Sequence, residues 1–224
     1  MIRACFLALA DLFSKSFRRA LWLALLLTAA LLAGLGYAAH YGLQAIPPFG
    51  WHWLNTVIEI AGDLGIVVGS IVLAAPVASI VICVFLEDVA VAVEAKRYPN
   101  DPPGRSLGLW PTITTGLAFL VPLLLVNLIA LPFYFVPGAN LVVYLIANGY
   151  LLGREYFELV AFRHHPPPVA ARLRKAYRVR VFLAGAIIAL ALLVPILNLL
   201  APLFGTAFMV HVFKHADKHA PSRA

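Results

Sequence analysis

Four stretches of the chain, 20–58, 64–86, 106–153 and 181–213, contain no Asp, Glu, Lys or Arg. Each outruns the roughly 18 apolar residues that mark a membrane-helix candidate. The first predicts a helix over 20–41, closed by Pro47, Pro48, Gly50 and the aromatic group Trp51, His52 and Trp53, which suits a turn at the far membrane interface. Glu59 and Asp63 then precede a second crossing over 64–86, where Gly65, Gly69, Ala74, Ala75 and Ala78 offer a small-residue face for close helix contact. Ahead of both, 1–19 sets Phe6, Leu9, Phe13 and Phe17 among Arg3, Asp11, Lys15 and Arg18, the approximate spacing of an amphipathic helix in the interface plane. The charged segment 87–105 starts as helix and is stopped by Pro99, Pro102, Pro103 and Gly104.

The last two runs differ from the first two. Within 181–213 the sequence Val194-Pro195-Ile196-Leu197-Asn198-Leu199, followed by Pro202, predicts two short arms. At 1.5 Å per residue an arm of about 14 residues reaches roughly 21 Å, short of the roughly 30 Å hydrocarbon core. The run 106–153 repeats the theme, with Pro122, Asn127 and Pro132 and then Val136-Pro137-Gly138-Ala139-Asn140-Leu141. The pattern V-P-x-x-N-L therefore occurs twice, midway along each run. Proline-interrupted segments with a weak internal repeat are a feature of transporters whose broken helices line a central site, and backbone freed by such breaks must be buried in protein or wetted. Two ordinary kinked spans are the alternative. The expected fold is an all-α membrane protein forming one domain over 1–224: two long transmembrane helices, two partially inserted (re-entrant) helical hairpins at 106–153 and 181–213, amphipathic interfacial helices, and a tail from 214.

Composition agrees. Of 224 residues 62% are hydrophobic and 12% charged, and mean hydropathy is +0.91, against roughly 45 to 50% apolar residues in soluble domains. A soluble globule and a disordered chain are both excluded. Cys5 and Cys83, the only cysteines, suggest neither a disulfide framework nor a cysteine metal site. The net charge is +7, and all 17 basic residues fall within 1–19, 87–105, 154–180 and 214–224. Two crossings and two returning hairpins would put every one on a single face, cytoplasmic by the positive-inside rule, in a multi-pass protein of the inner membrane. Nucleic acid is not an expected partner, because no binding motif accompanies the basic residues; anionic lipid and small anions are.

Arg18 and Arg19 stand at the start of the first long helix, where free N–H groups and the positive dipole end favour an anion, with Ser14 and Ser16 as further hydroxyl donors. Two guanidinium forks match a tetrahedral oxyanion better than a halide; a plain positive-inside anchor is the other reading. Asn127, Asn140, Asn148 and Asn198 lie in apolar sequence, where an amide needs a partner, and with Pro137, Pro195 and Pro202 they mark candidate pathway or hairpin positions. Glu87 and Asp88 are candidate proton-linked groups. The basic segment 154–180 reads as solvated or lipid-facing, with substrate attraction as the sharper alternative. His211, His215 and His219 have ligand-like i, i+4, i+8 spacing but lie near a fraying end, so no metal is expected. No Ser/His/Asp arrangement, phosphate-binding Gly loop or paired carboxylate emerges, so neither enzymatic activity nor a cofactor is expected.

These features together resemble the CysZ sulfate-transporter family, also described as EI24-domain membrane proteins, over nearly the whole chain. Phe17-Arg18-Arg19 is similar to the opening of the family's first long helix, and Ala75-Pro76, Leu86-Glu87 and Val93-Glu94-Ala95 to its second. Tyr134-Phe135-Val136-Pro137-Gly138 and Val194 to Leu199 with Pro202 resemble its two hairpin turns. Where family members often carry Pro-Gly before the arginine pair, Lys15, Ser16 and Phe17 stand here. The resemblance implies a sulfate permease supplying sulfur for cysteine synthesis, working as an oligomer, with Arg18 and Arg19 as sulfate ligands. A membrane scaffold whose basic face binds anionic lipid, and a carrier of sulfite, thiosulfate or phosphate, are the rival functions.

Overall fold

The computed structural model describes residues 1–45, 47, 50–136 and 138–219, without the side chains of 15, 16, 75, 76, 79, 80, 83, 109–113, 115, 116, 118, 195–197 and 199. Among the described residues the secondary structure is helical, with no strand. The chain forms two compact units, one made of Met1–Arg18 with Leu86–Ala224 and the other of Arg19–Phe85.

The second unit is built from α2 (Lys15–Gln44), from Arg19 onward, and α3 (His52–Val84). Two of the described segments, Phe17–Gln44 and His52–Ala74, are long and apolar enough to cross a membrane. The second helix departs from expectation. Instead of starting near 64, it starts at His52, so Trp53, Glu59 and Asp63 are helical. A helix satisfies its own backbone wherever it runs, and the acidic side chain at 63 finds a partner: His40 Nδ1 donates to Asp63 Oδ1 at 2.7 Å, while Gln44 Nε2 lies 2.9 Å from His40 Nε2. Gly62 faces Leu43, and Gly36 faces Ile66 and Ser70, so small residues let α2 and α3 approach.

The first unit holds α1 (Ile2–Leu12), α4 (Leu86–Arg97), α5 (Leu109–Ala130), a 3-10 turn (Leu131–Phe135), α6 (Asn140–Ala161), α7 (Pro167–Ala176), α8 (Arg178–Leu192) and α9 (Pro195–Lys218). The expected N-terminal helix over 1–19 is thus cut at Phe13–Ser14. Asp11 and Ala8 are buried, while Ile2, Phe6, Leu9 and Phe13 are exposed, because Asp11 has cationic partners inside the unit.

Both V-P-x-x-N-L repeats end a helix. Val136 (φ −85°, ψ 116°) and Val194 (φ −95°, ψ 117°) are extended, the conformation a following proline imposes on its neighbour. After Val194 the helix restarts at once at Pro195, whose fixed φ and missing N–H suit a first helical position. Within the first repeat Gly138, at φ 79°, turns the chain before α6 begins at Asn140. The arms of the second hairpin are unequal, α8 having 15 residues and α9 having 24. This corrects the short second arm expected from Pro202. The proline is accommodated inside α9, where Thr206 Oγ1 donates to the Pro202 carbonyl at 3.0 Å, and the helix is buried from Ala201 through Lys214. With Phe157 and Val160 of α6, residues Phe208, Met209, Val210 and Phe213 make α9 the centre of the core. Helices α6 and α8 approach through glycine: a Cβ on Gly185 would collide with the backbone of Gly149 and Gly153.

Candidate functional site

The start of α2 is capped by Ser14, whose Oγ accepts from the Phe17 N–H at 3.4 Å while its carbonyl accepts from the Arg18 N–H at 3.0 Å. One orphan donor of the first turn is therefore satisfied internally, and the Ser14 oxygen works as a cap. Phe17 and Ala20 are buried, which anchors the turn, while Arg18 and Arg19 are exposed and form no ion pair among the described residues. Two adjacent guanidinium groups thus stand in the opening turns of a helix whose following residues form an apolar span. The side chain of Ser16 lies outside the described residues.

The remaining candidates form no ion pair or side-chain hydrogen bond with this pair among the described residues. Asn127 donates through Nδ2 to the Leu123 carbonyl at 2.8 Å, and Asn148 to the Tyr144 carbonyl at 3.0 Å, so each amide is satisfied on its own helix. Asn140 and Asn198 are exposed in the first turns of α6 and α9, and Pro202 is buried within α9. Pro137 and the side chain of Pro195 lie outside the described residues. Glu87 and Asp88 occupy the first turn of α4, with Lys96 and Arg97 in its last, an arrangement that complements the helix dipole. The Glu87 carbonyl also accepts from Arg163 Nη1 at 3.3 Å.

Two buried ionic clusters escaped the sequence pattern. In one, Asp11 is 2% exposed and accepts from Lys96 Nζ at 2.9 Å, Arg97 Nη2 at 2.9 Å and His211 Nε2 at 3.3 Å. This leaves His211 Nδ1 to accept the Tyr98 hydroxyl at 2.8 Å. Burial alone would raise the Asp11 carboxyl, but hydrogen bonds and charge from Arg97 and Lys96 outweigh it and hold the group below the ordinary carboxylate value. In the other cluster, Arg163 is 2% exposed and donates through Nη2 to Glu94 Oε2 at 3.2 Å, while His164 Nε2 donates to Glu94 Oε1 at 2.8 Å. Here too burial pushes Glu94 up, and His164 and Arg163 pull it below its usual value. Segment 154–180 is therefore not uniformly solvated: at Arg163 and His164 it ties α6 to α4. No spacing rule marks such pairs, because their members lie far apart in the chain.

Beside the Asp11 cluster lies a cavity of about 600 Å³ whose lining includes Arg3, Arg97, Tyr98, Arg180, His211 and His215. Of its three guanidinium groups only that of Arg97 is paired with Asp11, and Arg3 and Arg180 form no ion pair among the described residues, so its chemistry also suits an anion. His215 belongs here, and the presence of Arg180 was not foreseen from sequence. Partial desolvation lowers the pKa of the exposed His215 imidazole, and the charges of Arg180 and His219 lower it further.

A search of curated proteins finds no match to the chain. The family profile described as sulfate transporter CysZ/etoposide-induced protein 2.4 (EI24) matches residues 4–202, and a match across that much of a helical chain with two apolar spans establishes that the protein belongs to the CysZ/EI24 family of membrane proteins.

Proposed function

We propose that the protein is a sulfate permease of the inner membrane, delivering sulfate for cysteine synthesis, with Arg18 and Arg19 as the capture site. The observation that carries this reading is the exposed arginine doublet, free of ion pairs among the described residues, in the opening turns of an apolar helix long enough to cross a bilayer. Carboxylates elsewhere neutralise Lys96, Arg97 and Arg163, whereas these two guanidinium groups retain their donors for a ligand. Two guanidinium forks near the positive end of a helix dipole suit a doubly charged tetrahedral oxyanion.

In this reading α2 and α3 cross the membrane, and the α5–α6 and α8–α9 hairpins enter part-way. The 15 residues of α8 support this for one arm of the second hairpin, since at 1.5 Å per residue they reach about 22 Å against a core of about 30 Å, whereas α5, α6 and α9, with 22, 22 and 24 residues, are long enough to reach across. A homo-oligomer completes the path, and the exposed apolar faces of α2 and α3 supply surface for it. The protein acts without enzymatic chemistry or cofactor. The test is binding. Sulfate should raise the melting temperature of detergent-solubilised protein more than chloride at equal ionic strength, and Arg18→Gln with Arg19→Gln should remove that difference. An equal sulfate response in the double variant would exclude the doublet as the capture site.

A further inference from the structure

Helices α6, α7 and α8 enclose an open cavity of about 480 Å³ in the first unit, and five basic side chains line it: Arg154 from α6, Arg172, Arg174 and Lys175 from α7, and Arg178 from α8. One carboxylate serves the group. Glu158 accepts from Arg154 Nε at 3.0 Å and lies 3.1 Å from Arg174 Nε, which leaves Arg172, Lys175 and Arg178 without an ion pair among the described residues. Three uncompensated cations sharing one concavity repel each other, and a phosphate group would relieve that repulsion while accepting their hydrogen bonds. Nothing in the transport reading uses this cavity.

The wall of the cavity says which phosphate. Tyr150, Val181 and Phe182 line it beside the cations. From Tyr150 an exposed apolar stripe runs along α6 through Ile146 to Val142, successive positions being four residues apart and so on one helix face. Arg154 is the next position on that face, so the stripe ends in the cationic cavity. A ligand with a phosphodiester head and long hydrocarbon tails matches both parts, whereas a free oxyanion matches only the first. From this geometry we propose that the α6–α7–α8 cavity is a binding site for an anionic phospholipid, its phosphate held by Arg172, Lys175 and Arg178 and an acyl chain lying along Tyr150, Ile146 and Val142.

The full chain in a neutral detergent can be titrated with phosphatidylglycerol, phosphatidylcholine or inorganic phosphate, with retained lipid counted by native mass spectrometry and stability followed by melting temperature. Phosphatidylglycerol should be retained and stabilising, phosphatidylcholine much less so, and inorganic phosphate, which Arg18 and Arg19 can take, should shift the melting temperature equally with and without the cations of the cavity. The triple substitution Arg172→Gln, Lys175→Gln, Arg178→Gln should weaken phosphatidylglycerol retention by at least about tenfold, since each cation near an anionic headgroup adds to its attraction. Ile146→Asp, which keeps every cation, should also reduce retention, while Arg18→Gln with Arg19→Gln should leave it intact. Undiminished retention in the triple variant, or stabilisation by inorganic phosphate that the triple substitution abolishes, would overturn the proposal.

Discussion

At the scale of single residues, the first unit is organised around charges that hydropathy would place outside. Glu94 is the sharpest case, because it holds the fully buried Arg163 and the neighbouring His164. Removing one partner of such a pair leaves an uncompensated buried charge, which costs about 3–5 kcal/mol. Glu94→Ala should therefore lower the denaturation midpoint sharply, and Glu94→Leu combined with Arg163→Met should recover much of the loss. Acid should act on the same groups. The folded-state pKa values of Asp11 and Glu94 both lie below their ordinary values, so their contribution is complete above the ordinary carboxylate range of about 4 and is lost as pH falls through the depressed folded values. A melting-temperature profile should fall steeply in that acidic window, and Asp11→Asn with Glu94→Gln should flatten it. These clusters were illegible in the sequence. Asp11 read as part of a polar face on a surface helix, and only the fold brings it to Lys96, Arg97 and His211.

At the scale of elements, the sequence was informative where local chemistry dominates. Proline forces Val136 and Val194 into extended backbone, so both helix breaks were readable from the repeated motif. The restart of each helix was less readable: Gly138 delays one, and Pro195 begins the other immediately. The length of α9 was misjudged because a lone internal proline reads as a stop, whereas burial on all sides stabilises the helix through Pro202. Glycine pairing between α6 and α8 was also missed, since the partners lie in separate runs. Gly185→Ala should place a methyl group against the Gly149 and Gly153 backbones and cost about 1–3 kcal/mol of overpacking. Urea or thermal unfolding would measure it, with Gly65→Ala, which meets nothing within 4 Å, as a control of smaller effect.

At the scale of the whole molecule, hydropathy alone was enough to identify a helical membrane protein, and four short patches of sequence were enough to suggest its family. The arginine doublet was legible for the same reason: it is a local feature of one helix start. The second cationic cavity, lined by Arg3, Arg97 and Arg180, needed the fold to gather its parts. The transport account turns on whether an oxyanion captured at Arg18 and Arg19 crosses the bilayer. Radiolabelled sulfate flux into proteoliposomes of the purified protein tests this most directly. The account predicts saturable uptake down a sulfate gradient, and uptake at the level of empty liposomes for Arg18→Ala with Arg19→Ala reconstituted to the same density. Wild-type uptake no faster than that of empty liposomes, or full uptake by the double variant, would contradict it.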